Sequence, residues 1–199
     1  MKNSHYFIND SSLSSQKKRL DVSILGASFV FHTDLGIFSK DRIDQGTLVL
    51  LKSLKIEENK SILDMGCGYG VIGVYLKKLY PNCKVTMVDV VDRALALAKE
   101  NSIVNNIKDV EIINSNFFEK LNENKFDYII SNPPIRIGKI KLFEFYASAK
   151  NHLNENGKFV IVVRKDQGAL SHIKNLENIY KIINVLDKDY GYWVIESCI

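Results

Sequence analysis

The run Phe159-Val160-Ile161-Val162-Val163 is apolar at every position, and it constrains the fold more than any other feature. A strand with one wet face alternates, so an unbroken apolar run of this length belongs in a parallel sheet covered on both faces. Six other short stretches have strand character: 62–64, 85–88, 110–113, 126–130, 179–186 and 190–197. Helical patterns fall between them, at 71–79, after Asp92, at 140–152 and at 169–175. Asp92 can cap the second, where Ala94, Leu97 and Ala98 recur at helical spacing. The third carries Leu142, Tyr146, Ala149 and Leu153 on one stripe. Strands alternating with helices imply an α/β fold, a doubly wound, mostly parallel, seven-stranded Rossmann-like sheet. Asp187-Lys188-Asp189 suits the turn of a closing antiparallel hairpin.

The first 55 residues have a different texture. Residues 23–25 and 29–33, broken by Gly26-Ala27, predict an N-terminal β-hairpin, and Asp34-Leu35-Gly36 predicts a turn. Asp44 can cap a helix that reaches Leu54. With no repeat and no long linker, residues 1–55 are expected to pack as an extension on the domain formed by 56–199. A length of 199 residues, 46% of them apolar and 25% charged, suits one globular domain. No stretch approaches the roughly 18 to 20 apolar residues that cross a bilayer. Residues 1–6 lack the apolar core of a signal peptide, so the cytoplasm is the expected compartment, with no membrane partner. Cys67, Cys83 and Cys198 are too few and too scattered for a disulfide framework or a zinc knuckle. His5, His32, His152 and His172 are likewise scattered, so no metal is expected.

Chemistry concentrates where strands end. The stretch 62–64 runs into Asp64-Met65-Gly66-Cys67-Gly68-Tyr69-Gly70. Glycines at 66, 68 and 70 let the backbone pass close to a ligand, and Asp64 can accept a hydrogen bond from an amino group or from ordered water. Gly68, Gly70 and Gly73 also spell G-x-G-x-x-G, the dinucleotide fingerprint, but Gly68 lies four residues beyond Asp64 instead of closing the strand. Asp89 ends the second strand and is placed to accept both hydroxyls of a ribose under either reading. Asn132-Pro133-Pro134-Ile135 follows the fourth strand. Two prolines fix the backbone and donate nothing, which leaves the Pro133 carbonyl and the Asn132 side-chain oxygen as converging acceptors. Such a pair can hold both hydrogens of a planar exocyclic amine and turn its lone pair toward a methyl donor.

These residues resemble the class I S-adenosylmethionine-dependent methyltransferases. More narrowly, the chain looks like a short, single-domain form of the small-subunit ribosomal RNA guanine-N2 methyltransferase C family. The stretches that carry the resemblance are Gly36-Ile37-Phe38-Ser39-Lys40, Asp44-Gln45-Gly46-Thr47, the glycine loop, Val88-Asp89-Val90, Asn132-Pro133-Pro134-Ile135-Arg136 with Gly138-Lys139, and Arg164-Lys165 with Gln167-Gly168-Ala169. The resemblance implies S-adenosylmethionine as cofactor, held by Phe38, Thr47, Asp64, Gly66, Cys67, Gly68, Gly70, Asp89, Val90, Asn116, Phe117 and Asn132. It implies catalysis at Asn132, Pro133 and Pro134, and a ribosomal RNA or small-subunit particle as partner. An acid is common after the third strand of such families, whereas Asn114-Ser115-Asn116-Phe117 stands here. The Asn116 oxygen can still accept from an adenine amine, and Phe117 can pack on the ring. Cys67 reads as a small loop filler, because amine methylation needs no covalent intermediate. Phe38 suits either a cover for the cofactor or the core, and Tyr192 and Trp193 suit sheet packing.

From Arg136 to Lys165 there are seven basic residues against two acids, within a net charge of +4. Arg136, Lys139 and Lys165 flank strand ends and are expected, with Ile135, to border the substrate pocket and meet phosphates. Lys141, Lys150 and Lys158 read as a solvated face. Lys17-Lys18-Arg19 is a second basic cluster that would touch phosphate or solubilise the amino terminus. The Asn-Pro-Pro geometry would serve adenine N6 or a protein glutamine amide as well as guanine N2. A non-catalytic cofactor-binding RNA module is the remaining alternative.

Overall fold

The structure, a computed structural model, describes residues 14–199; the expectations for residues 1–6 and His5 lie outside the described residues. An antiparallel hairpin of β1 (Lys18–Ile24) and β2 (Ala27–Thr33) leads to α1 (Gln45–Ser53). Then follow β3 (Ser61–Met65), α2 (Val71–Leu79), β4 (Lys84–Asp89), α3 (Asp92–Val104), β5 (Val110–Asn114) and β6 (Phe126–Ser131). The chain closes with α4 (Lys139–Asn151), β7 (Leu153–Arg164), α5 (Ala169–Glu177), β8 (Ile182–Asp189) and β9 (Tyr192–Cys198). The seven strands after the hairpin form one sheet in the order β5-β4-β3-β6-β7-β9-β8, parallel from β5 to β7 and antiparallel at β9.

Both faces of that sheet are buried, as the apolar runs require. Ile62, Met87, Ile130 and Val162 join a core with α1, α2 and α3, whereas Leu63, Val88, Ile129 and Ile161 join one with α4 and α5. Successive residues point to opposite sides, so adjacent apolar positions serve different cores. The chain runs outward from β3 to β5 and returns to lay β6 beside β3. This reversal is a topological switch point, where the carboxyl ends of neighbouring strands open a crevice.

The hairpin shares the first core through Ile24, Phe29 and Phe31. The edge of β2 that faces α3 is closed by two asparagines one turn apart, Asn101 in the last turn of α3 and Asn105 capping its carboxyl end. Asn105 bonds Val30 N and O at 3.0 and 2.6 Å, and Asn101 bonds His32 N and O at 2.6 and 3.0 Å. Each amide offers one acceptor and two donors, so it mimics a neighbouring strand. Asn101 also donates to Tyr69 O at 2.8 Å, which ties the hairpin to the glycine loop. Asn101→Ala strips three backbone groups of their partner, so we expect a loss of roughly 2 kcal/mol in urea unfolding. A variant as stable as wild type would show that water replaces the amide without cost.

Some boundaries differ from the sequence expectation. Tyr190 and Gly191 make the final turn, with φ of 47° and 76°, and leave Asp187 and Asp189 inside β8. A two-residue hairpin of this type needs positive φ at both central positions, and Gly191 supplies one. Leu153 opens β7 opposite Phe126 and does not extend the α4 stripe. Asp92 is the first residue of α3, not its cap; its Oδ1 accepts from Asn114 Nδ2 at 2.6 Å. Among the described residues no helix is long and apolar enough to cross a membrane.

Candidate active site

A cleft of about 540 Å³ opens along the carboxyl ends of β3, β4, β5, β6 and β7. That size suits a small-molecule site, for which roughly 300 to 1,000 Å³ is usual. Its inner wall is the glycine loop. Gly66 N and Cys67 N both bond Val88 O, at 2.8 and 2.9 Å, which hooks the loop to the end of β4. Gly68 has φ +55° and nothing within 4 Å of where a Cβ would sit, so its bare backbone faces open space. Gly70, outside the lining, has φ +89° and would press a Cβ onto Ala98 at 3.1 Å; its role is to start α2 against α3.

Asp89 lines the cleft and already organises it. Oδ2 accepts from Gly68 N at 2.8 Å, and Oδ1 accepts from Val90 N and Val91 N at 2.8 and 3.0 Å. Oδ2 thus keeps one free acceptor position for a ligand hydroxyl, whereas Oδ1 is committed to the turn. Burial pushes the Asp89 carboxyl above its ordinary range, and the three backbone donors oppose that. Asn116 donates to Glu119 Oε1 at 2.6 Å, which leaves its own oxygen as an acceptor at the rim. Phe117, at φ +49°, stacks on Phe145 with centroids 5.0 Å apart and lines the cleft as a flat apolar wall.

Asn132 stands where β6 ends. Its Nδ2 donates to Asp44 Oδ2 at 2.8 Å and to Thr47 Oγ1 at 3.0 Å. Both of its donors are therefore spent on α1, and no hydrogen bond among the described residues engages Oδ1 or the Pro133 carbonyl. Asp44 caps α1 as expected, through Thr47 N at 3.0 Å. Its bond to Asn132 was not foreseen; the signal available was that Asp44 and Thr47 sit in a stretch that carries the resemblance. Pro134 O accepts Ile137 N at 3.0 Å and starts a 3-10 turn over Ile135–Ile137.

Asp64 is fully buried beneath the loop and does not line the cleft. Oδ2 accepts from Gly73 N at 2.9 Å, while Oδ1 has no partner. Desolvation pushes its carboxyl up to about 7, with the Gly73 bond opposing and the Asp89 charge adding. A carboxyl raised in the fold stabilises the protein below its unfolded pKa of roughly 4, and that contribution fades as pH rises through about 7. Asp64→Asn keeps an acceptor for Gly73 and cannot ionise. We expect thermal stability to fall less steeply between pH 4 and pH 7 in this variant than in wild type. Parallel profiles would show that Asp64 does not titrate there.

The outer wall departs most from expectation. Ile135 and Arg136 line the cleft, but Lys139 and Lys165 do not. Lys139 instead lies over the α5 amino terminus, with Nζ 3.8 Å from a Cβ built at Gly168. Lys141, read as a solvated residue, lines the cleft in its place. Arg164 and Tyr192 were also missed: the guanidinium sits 5.7 Å from the Tyr192 ring, and both face the cleft. Phe38 is 50% exposed and lines the cleft, so it is no core residue. Thr47, Cys67 and Val90 line it too, and burial holds the Cys67 thiol well above its usual pKa, hence protonated. The amino-terminal cluster is locally neutralised, Lys17 by Glu100, Lys18 by Asp41 and Arg19 by Asp21.

The chain is 35% identical over 195 residues to the uncharacterized protein YbxB of Bacillus subtilis, covering 97% of each. It is 40% identical over 132 residues to the ribosomal RNA small subunit methyltransferase C of Pasteurella multocida, covering 64% of this chain and 39% of that protein. A solved structure of the Thermus thermophilus 16S rRNA N2 G1207 methyltransferase, in complex with AdoMet and guanosine, superimposes with a TM-score of 0.83. It is 25% identical and covers 94% of this chain, which spans 51% of that one. The family model of the methyltransferase small domain matches residues 28–196, from the β2 strand through the glycine loop and Asn132 to β9, and the chain belongs to that family.

Proposed function

We propose that this protein transfers a methyl group from S-adenosylmethionine to the exocyclic amine of a nucleobase, guanine N2 in small-subunit ribosomal RNA. The single observation that carries this is the pinned amide of Asn132. With Nδ2 held by Asp44 and Thr47, Oδ1 is left as an acceptor beside the Pro133 carbonyl. The choice of guanine in RNA rests on the ribosomal RNA methyltransferases to which the chain is similar. The reaction then belongs in the cytoplasm, with the ribosomal RNA.

The residues present suit the cofactor. Gly68 leaves room against the loop, Oδ2 of Asp89 offers an acceptor to a ribose hydroxyl, and Asn116 and Phe117 offer an acceptor and a flat wall to an adenine. When bound, S-adenosylmethionine supplies an electrophilic methyl group on a positively charged sulfur. Oδ1 of Asn132 and the Pro133 carbonyl take the two amine hydrogens, which turns the nitrogen lone pair toward that methyl. As the carbon–nitrogen bond forms and the carbon–sulfur bond breaks, its electron pair going to sulfur, positive charge would pass from sulfur to the nitrogen, where the two oxygens stabilise it. The surplus proton leaves to solvent afterwards, so no strong base is required. Arg136, Lys141 and Arg164, at the outer wall, meet phosphates beside a base turned out of its stack.

The test is transfer of labelled methyl from the cofactor to 16S RNA and to small-subunit particles, followed by nucleoside analysis. Label in N2-methylguanosine is the expected result. Label in N6-methyladenosine or in protein would redirect the substrate assignment, and no label in either would overturn the reading.

A further inference from the structure

We propose that Asp44 is a positioning residue that dictates which end of the Asn132 amide faces the cleft, and so selects a hydrogen-donating substrate group. The inference rests on the amine-methylation reading above and adds the device that makes the site specific for it. A carboxylate accepts hydrogen bonds and donates none, whereas a hydroxyl does both. Thr47 Oγ1, 3.0 Å from Nδ2, would therefore tolerate either orientation of the amide. Asp44 Oδ2, at 2.8 Å, tolerates one. A flipped amide would set Oδ1 against that carboxylate oxygen, acceptor against acceptor, with the amide nitrogen turned to the cleft.

The consequence is chemical selectivity. With Oδ1 outward, the site receives a group that brings hydrogens, as an exocyclic amine does. With Nδ2 outward it would receive a carbonyl or a ring nitrogen. The latch joins residues 88 positions apart in the chain, one at the head of α1 and one at the end of β6. Asp44 lines the cleft as well, and its charge is felt by Tyr69 and Tyr192 on either side. Thr47 is placed by the same carboxylate through its backbone nitrogen at 3.0 Å, so one side chain sets both contacts to Asn132.

Oδ2 of Asp44 takes both Thr47 N and Asn132 Nδ2. Asp44→Ser therefore separates orienting from capping: serine caps a helix about as well as aspartate does, and its hydroxyl both accepts and donates. The hydroxyl can accept from Thr47 N and donate to Oδ1 of a flipped Asn132, so the productive orientation loses its advantage. Single-turnover methyl transfer should fall about tenfold or more, the scale of one charge-assisted hydrogen bond. Cofactor affinity and the urea midpoint should stay close to wild type. In an Asn132→Ala background the same substitution should have no further effect, since there is no amide left to orient. An equal loss in both backgrounds, or a loss that follows the urea midpoint, overturns the proposal. A second readout needs no RNA: the side-chain amide protons of Asn132, followed by NMR, should shift and exchange faster with solvent in Asp44→Ser. Unchanged amide signals sink the latch. If wild-type protein methylates no RNA while those signals move as expected, the functional reading fails and the latch stands.

Discussion

Asn132→Ala should slow methyl transfer by about a hundredfold or more in single-turnover assays at saturating cofactor, the scale of removing one preorganised polar group. RNA affinity should change much less, because Oδ1 meets an amine already seated in the cleft. The truncation also releases Asp44 Oδ2 and Thr47 Oγ1, which then lose one donor each. Both line the cleft at the start of α1, so a modest stability loss is expected beside the large loss in rate. Asn132→Asp is the sharper companion. It keeps the oxygen, but it places a second carboxylate against Asp44 and removes the two donors that hold the group still. A defect confined to the Michaelis constant would show that Asn132 holds substrate and does not assist transfer.

Asp89→Ala should weaken cofactor binding by about a hundredfold in calorimetric titration, the scale of losing a charge-assisted contact. Two effects add. The ligand loses an acceptor at Oδ2, and the loop loses the anchor of Gly68 N, Val90 N and Val91 N. The second effect was not specified by the sequence, where Asp89 stood as an acceptor for a ribose or as a helix cap. Because burial raises the Asp89 carboxyl, wild-type cofactor affinity should begin to fall on acidification at a higher pH than for an exposed aspartate. Unchanged affinity in a folded variant would reduce Asp89 to a structural turn residue.

Much of the architecture was readable from local pattern. Seven strand runs and the four helices that follow β3 stand near their expected places, since each depends on periodicity within a few residues. The glycine loop, Asp89, Asn116, Phe117 and Asn132 do meet in one cleft, because a parallel sheet sends the carboxyl ends of its strands to one edge. Errors at boundaries have local causes too. Tyr190-Gly191 outcompetes the acid-rich Asp187-Lys188-Asp189 as a turn, since positive φ and not polarity is what the hairpin requires.

What no local pattern could supply is which side chains meet across the fold. Asp44 reads as a helix cap, and it is one; its bond to Asn132 exists because the head of α1 lies at the end of β6. Asp64 reads as a cleft residue, yet its side chain drops below the loop to Gly73, in a site so dry that its carboxyl rises to about 7. Lys139 and Lys141 differ by two positions, which puts them on nearly opposite sides of α4, and the packing of that helix leaves Lys141 at the cleft and Lys139 beside Gly168 at the head of α5. Hydrophobic period and strand-end chemistry act over neighbours in sequence and are written there. Hydrogen-bond partners, desolvation and helix phase depend on strand order and packing, and these exist once the sheet has assembled.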